Sequence, residues 1–269
     1  MRCALATDSA VVKYVRCRHE GAVSYGVLED NTVQLIDGDL FGDRTLSGKS
    51  VGLAEVELLA PCEPSKVLCV GLNYSSHLQG RESPESPSIF LKPLTALQDP
   101  GGPIVIPSDS KDLHFEAEVV VVIGRKAKHV SVEDASAYIF GYTCGNDVSE
   151  RNWQKGSMGD KADRQWWRAK GCDTFAPLGP VIAAGLDYRK SRIQCRLNGE
   201  VVQSQLLSDL IFDAETVVSF VSRYVTLLPG DVIYTGTPGK TKAMKPGDVV
   251  EVEIEGIGTL SNPLVADSK

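Results

Sequence analysis

The 269-residue chain has no apolar run approaching the roughly 18 residues that a membrane-spanning helix requires. Its opening residues, Met1-Arg2-Cys3-Ala4-Leu5-Ala6-Thr7-Asp8, lack the apolar centre of a secretory signal. Both absences point to a cytoplasmic protein, with a mitochondrial location left open. No basic run or patch is present, and the net charge is −7 with a pI near 5.2. Nucleic acid and membrane are therefore not expected as partners. There is no C-x-x-C pair. The seven cysteines (Cys3, Cys17, Cys62, Cys69, Cys144, Cys172, Cys195) are scattered and odd in number. That pattern argues against a disulfide framework or a zinc site, and for reduced thiols used as small core residues. Absent too are a G-x-G-x-x-G after a strand, a G-x-S-x-G and an H-E-x-x-H. Gly239-Lys240-Thr241 imitates the end of a phosphate-binding loop, but the residue five before Gly239 is Tyr234 rather than glycine. Nucleotide enzymes, serine hydrolases and zincins are unlike this chain.

What is present is an ordinary globular composition, 42% hydrophobic, long enough for one large domain or one with a small appendage. Residues 1–60 contain short strand-like pieces, such as Val11-Val12-Lys13-Tyr14-Val15, between turn signals at Asp30-Asn31 and Asp37-Gly38-Asp39. They predict a small β-rich N-terminal unit, joined by a proline-bearing connector at 59–65 to a larger unit over 61–269. Residues 66–71 read as a buried strand, and 79–88 as a polar surface loop and lid. Ser131 is placed to cap a short helix, residues 152–168 read as a loop, and 213–224 read as a second helix with its apolar face at Val217, Val218, Val221 and Tyr224. Pro229-Gly230-Asp231 and Pro246-Gly247-Asp248 punctuate C-terminal strands. The fold class is mainly β (α+β), with few helices.

The most informative stretch is His114-Phe115-Glu116-Ala117-Glu118-Val119-Val120-Val121-Val122-Ile123-Gly124. Its β-branched alternation predicts a strand. His114, Glu116, Glu118, Val120 and Val122 then share one face, and Phe115, Ala117, Val119, Val121 and Ile123 the other. Two carboxylates together at the entry of a buried strand repel, and a hard divalent cation offsets them best. Mg²⁺ or Mn²⁺ is the expected ion, with Ca²⁺ able to substitute. Two solvated acids at a strand mouth is the alternative.

Other segments follow in order: Gly71-Leu72-Asn73-Tyr74-Ser75-Ser76-His77, Phe90-Leu91-Lys92-Pro93, Gly141 to Arg151 with Asn146-Asp147, Ala169-Lys170-Gly171, Leu197-Asn198-Gly199-Glu200 and Tyr234-Thr235-Gly236-Thr237-Pro238-Gly239. Taken together, they resemble the fumarylacetoacetate hydrolase superfamily over about residues 60–265. The resemblance implies a mixed β-sandwich roll, usually homodimeric, acting on a small keto-acid substrate. It also implies metal ligation by Glu116, Glu118 and Asp147, with His77, Lys170 and Gln154 as catalytic residues. Thr237 and Gly236 are implied on the substrate carboxylate. Arg164 and Trp166-Trp167 are candidates for shaping the pocket, and His114 is expected to support a ligand rather than be one. The implied activity is C–C bond hydrolysis or decarboxylation of a β-keto or β-diketo acid through a stabilised enolate. Keto–enol tautomerisation or isomerisation is the alternative, and a catalytically silent metal-binding relative the rival from another class.

The chain departs from the family pattern in its lid. Glycine stands at position 80, where family hydrolases and decarboxylases carry a glutamate that pairs with the histidine, and Asn152 stands where aspartate is common. Glu82 or Glu85 could substitute for the glutamate, although Gly80 and Pro84 weaken a helix there. The loop from Pro238 to Pro246 is also short. These changes weigh most against a reaction that needs a well-held hydrolytic water.

Overall fold

A computed structural model describes residues 10–78 and 80–268. Residues 1–9, with Cys3, Gln79 of the expected lid, and Lys269 lie outside the described residues. Strands make up most of the regular structure, as the sequence suggests. A twelve-stranded mixed sheet runs in the order Arg44–Gly52, Thr32–Gly38, Ala22–Glu29, Val12–His19, Ala176–Ala184, Ile139–Asn146, Ala117–Ile123, Val232–Tyr234, Val67–Gly71, Ser88–Lys92, with two short strands off this path. The first strands are therefore hydrogen-bonded into the same sheet as the rest, with Val12 opposite Ala184. A second, five-stranded sheet contains Arg192–Leu197, Glu200–Leu206, Val249–Ile254, Gly258–Ala266 and Ile104–Ile106. Asn198 and Gly199, both at positive φ, form the tight turn between the first two of these strands.

The strand Ala117–Ile123 lies at the centre and is buried along its whole length. Its period-two reading holds. Ala117, Val119, Val121 and Ile123 join the core shared with the five-stranded sheet, among Ile193, Val252 and Ile254. Val120 and Val122 join a second core on the other face, with Val67, Val232, Tyr234 and Leu178. Its start is later than expected. Phe115 and Glu116 leave the ladder, and Leu113–His114 pairs instead with Ser149–Glu150. The cause is a side chain: the backbone N–H of Glu116 donates to Asn146 Oδ1 at 2.9 Å, so it is not free to pair with a strand.

Five α-helices are present among the described residues: α1 (Ser75–Leu78), α2 (Val132–Ala135), α3 (Arg151–Lys155), α4 (Trp167–Gly171) and α5 (Ala214–Tyr224). Ser131 caps α2 by accepting from Asp134 N, and Asp213 caps α5 by accepting from Thr216 N. In α5, Val217, Val218 and Val221 are buried as expected, but Tyr224 is 70% exposed. The stretch 152–168, expected as a loop, begins with α3. The Glu150 carboxylate caps that helix at Trp153 N, and Gly156 closes it in the left-handed conformation. None of the helices among the described residues is long and apolar enough to cross a membrane. The described cysteines are free thiols, all buried except the half-buried Cys172.

The two Pro-Gly-Asp turns share one device. Asp231 accepts from Leu228 N at 2.7 Å, and Asp248 from Lys245 N at 2.8 Å. Asp231 is fully buried and also accepts from Ser65 N at 2.9 Å, Ser65 Oγ at 2.7 Å and Lys66 N at 3.2 Å. It thereby ties the connector to the parallel strand pair Val67–Gly71 and Val232–Tyr234, whose far ends reach the site described below. Asp231→Ala would remove the shared acceptor of three part-buried N–H groups, at Ser65, Lys66 and Leu228, and is expected to cost about 1–3 kcal/mol. Urea denaturation checks this; a loss below about 0.5 kcal/mol, the range of ordinary surface changes, would contradict it.

Candidate active site

The site forms where four neighbouring strands end together. Ala117–Ile123 begins there, beside the end of Ile139–Asn146, with Glu118 opposite Gly145. On its other side Val232–Tyr234 ends, with Val67–Gly71 parallel to it. Gly145 is required by close packing, since a Cβ there would meet Tyr234 Cε1 at 2.4 Å and Val120 Cγ2 at 2.5 Å. Gly236 has φ +103°, and its N–H donates to Glu118 Oε2 at 2.6 Å. Asp147 follows the strand end, and its N–H donates to Glu116 O at 2.9 Å.

These turns bring Glu116, Glu118 and Asp147 together, all buried, with one carboxylate oxygen from each lying within 4.8 Å of the others. Three cations face them. Lys170, from α4, donates to Glu116 Oε2 at 2.7 Å and to Asp147 Oδ2 at 2.6 Å. Lys92, from the edge strand, lies 2.6 Å from Asp147 Oδ1, outside hydrogen-bond alignment. Arg151, from α3, pairs with Glu116 Oε1.

The titration behaviour follows from these contacts. Burial alone would raise the Glu116 pKa, but Arg151 and Lys170 outweigh it and hold that carboxyl well below its usual range. Glu118 moves the other way. Burial, together with Asp147 and Glu116, pushes it well above the carboxylate range. Burial would lower Lys170, yet Asp147 and Glu116 raise it, so it stays an ammonium.

Above the cluster opens a cavity of about 310 Å³. His77, Lys170, Gln154, Glu116 and Thr237 all line it. His77 Nδ1 lies 2.7 Å from Gly239 O. A carbonyl only accepts, so Nδ1 carries the proton and Nε2 is left with a lone pair. Burial lowers the His77 pKa and favours the neutral ring. Gln154 Oε1 accepts from Arg151 Nη1 at 2.7 Å. Thr237 Oγ1 accepts from Gln203 Nε2 at 3.0 Å. Phe90 and Trp166 form an edge-to-face wall, with ring centroids 5.3 Å apart.

Other sequence expectations are corrected. Arg164 is exposed on the segment before α4 and does not line the cavity. Trp167 is 66% exposed and points away from it, whereas Trp166 lines it. Gly236, implied beside Thr237 on the substrate carboxylate, has its N–H on Glu118 Oε2 in this structure. Glu82 and Glu85 are exposed and do not line the cavity in this structure.

His114 is not beside the carboxylates as a ligand. Its Nε2 meets Asp112 Oδ1 at 2.9 Å and its Nδ1 meets Thr241 Oγ1 at 2.8 Å. Thr241 Oγ1 in turn accepts from Arg151 Nη2 at 3.2 Å. Thr241, Arg151 and Lys92 were not singled out by sequence reasoning. Lys92 and Arg151 do stand inside the quoted motifs, where a charged residue within an apolar strand and a cation four residues after Asp147 were the available signals.

The donor set fits a hard divalent cation: oxygen only, buried, one carboxylate held uncomfortably close to two others, and Asp147 Oδ1 without a hydrogen bond. A cation there would drive the proton off Glu118. Calorimetric titration with Mn²⁺ in two buffers of different ionisation enthalpy is expected to show proton release near neutral pH. Glu118→Gln should abolish that release, and Asp147→Asn, which alters a ligand itself, should weaken binding at least as much as the roughly 10–100-fold typical of losing a group that supports a ligand. Release that persists in Glu118→Gln would contradict this.

Comparison with known proteins agrees with the geometry. The family described as fumarylacetoacetate (FAA) hydrolase C-terminal matches residues 66–265, and that described as Rv2993c-like, N-terminal matches residues 12–61. Protein Rv2993c of Mycobacterium tuberculosis is 46% identical over 234 residues, covering 85% of this chain and 86% of that protein. The mitochondrial oxaloacetate tautomerase Fahd2a of Rattus norvegicus is 40% identical over 225 residues, covering 79% of this chain and 70% of that protein. The crystal structure of 5-carboxymethyl-2-hydroxymuconate delta-isomerase from Mycobacterium smegmatis superposes with a TM-score of 0.88 at 42% identity, covering 95% of this chain and 100% of that one. With its carboxylate cluster, its strand architecture and these matches, the chain belongs to the fumarylacetoacetate hydrolase family.

Proposed function

We propose that this chain is a tautomerase or isomerase of small β-keto or β-diketo acids of the oxaloacetate or acylpyruvate type, assisted by Mg²⁺ or Mn²⁺ held by Glu116, Glu118 and Asp147. One observation carries the reading. The cavity sets a neutral base, His77, anchored by a carbonyl rather than a carboxylate, against a fixed ammonium, Lys170. That pairing moves protons and lacks a carboxylate to orient a hydrolytic water. A tautomerase and an isomerase among the similar proteins support it. C–C hydrolysis and decarboxylation draw on the same cluster and are the competing outcomes of the test.

A bound divalent cation would polarise the oxygens of a chelating keto acid and favour its enolate. His77 Nε2 takes the proton from the substrate carbon next to the carbonyl and returns it to the enolate oxygen, or to another carbon in an isomerisation, while Nδ1–H holds the ring through Gly239 O. Lys170 keeps its charge through Glu116 and Asp147, and its ammonium stabilises negative charge developing on the substrate oxygen. Gln154, steadied by Arg151, presents its amide to the cavity. Thr237 offers its hydroxyl for the substrate carboxylate. Phe90 and Trp166 exclude water from one side.

The test follows oxaloacetate by enol absorbance, by CO₂ release and by cleavage of acylpyruvates, with EDTA as control. Tautomerisation is expected to exceed the other two and to fall in EDTA. Because His77 acts neutral and burial lowers its pKa, kcat/KM should rise with pH through a midpoint below 6.5. His77→Asn should remove that limb and lower the rate about 10²–10⁴-fold. A kcat/KM that falls as pH rises, or an acid limb that persists unchanged in His77→Asn, would contradict the role of His77. Cleavage outpacing tautomerisation would contradict the assignment of reaction.

A further inference from the structure

The cations around the cavity fall into two groups. Arg151 and Lys170 are tied to the carboxylates of the cluster. Arg151 Nη1 is on Gln154, its Nη2 serves Glu116 and Thr241, and Lys170 is shared between Glu116 and Asp147. Arg81 and Lys155 also line the cavity, both exposed, and neither has a carboxylate partner among the described residues. Arg81 uses only Nε, which donates to Leu78 O at 3.1 Å, leaving both terminal nitrogens of its guanidinium uncommitted.

Arg81 is delivered by a specific local geometry. The chain leaves α1 through Gly80 at φ +86°, and Arg81 N also donates to Leu78 O at 3.1 Å. Gly80 thus closes the short helix in the left-handed conformation. The position where the family pattern places a glutamate has become a turn that presents a cation. Lys155 comes from the last turn of α3 and lines the same cavity as His114. The floor of the cavity is charge-balanced, and its remaining charge is positive.

Building on the keto-acid reading above, we infer that Arg81, joined by Lys155, is the specificity-determining subsite for the far end of the substrate and selects keto acids that carry a second anionic group. A guanidinium with two free terminal nitrogens matches a carboxylate bidentately. An uncharged tail would leave Arg81 solvated and gain nothing from it. The cavity volume suits a short acid.

The test uses two inert five-carbon probes that differ only at the tail, 2-oxoglutarate and 2-oxopentanoate. They are titrated calorimetrically onto the protein in the presence of Mg²⁺. The parent is expected to bind 2-oxoglutarate about tenfold more tightly, with a preference that shrinks as salt rises. Arg81→Met should bring the two within about twofold by weakening only 2-oxoglutarate, with Arg81→Lys intermediate and Lys155→Met a smaller loss. An unchanged preference in Arg81→Met, or no preference in the parent, overturns the subsite while leaving the keto-acid reading standing. Failure of both probes to bind overturns both.

Discussion

Three carboxylates buried within 4.8 Å of one another are the constraint on which the rest depends. Two unit charges about 4 Å apart interact by about 1 kcal/mol in water and about 4 kcal/mol at an effective dielectric of 20. Burial adds a desolvation cost to that repulsion. The chain offsets both with Lys92, Lys170 and Arg151, each from a different element. The edge strand, α3 and α4 are thereby pinned to the end of the central strand. The compensation is uneven: Glu116 is held ionised while Glu118 is pushed towards its protonated form. A divalent cation among the three carboxylates would relieve that imbalance.

The fold is arranged to make this cluster possible. A strand buried on both faces brings Glu118 inward, and absence of a side chain at Gly145 lets Tyr234 pack directly beneath. Tyr234 then reaches across to donate to Pro177 O at 2.9 Å. Asn73 links the segment before α1 to the Thr235 carbonyl at 2.7 Å, so His77 and Gly236 are positioned by one side chain. The loop carrying Gly239 and Thr241 closes the arrangement by holding His77 on one side and Arg151 and His114 on the other.

Much of this was legible in the amino-acid order. Alternation over 117–123 assigned each residue to its face, and the helix behind Ser131 and the helix at 213–224 were found. Glu116, Glu118 and Asp147 come together, and His77, Lys170, Gln154 and Thr237 line one cavity with Glu116. What was not legible depends on contacts distant in sequence. The strand begins at Ala117 because of Asn146, thirty residues on. Thr241 was set aside with a failed phosphate-loop pattern, yet its hydroxyl bridges His114 and Arg151. Arg164 was placed at the site by its motif neighbourhood, but a loop residue between α3 and α4 can face either way, and this one faces solvent. The helix α3 was readable in principle from Glu150 and Gly156 at its two ends.

Glycine at position 80 changes the character of the lid. It removes the carboxylate that would steady a water at His77, and the turn it permits brings Arg81 to the cavity. The most direct measurement of the carboxylate cluster's role is anomalous diffraction from crystals grown with Mn²⁺. A single peak is expected about 2.1–2.3 Å from oxygens of Glu116, Glu118 and Asp147, distances usual for oxygen ligands of small hard cations. A Mn²⁺ peak elsewhere, or none at this cluster under saturating Mn²⁺, would contradict it.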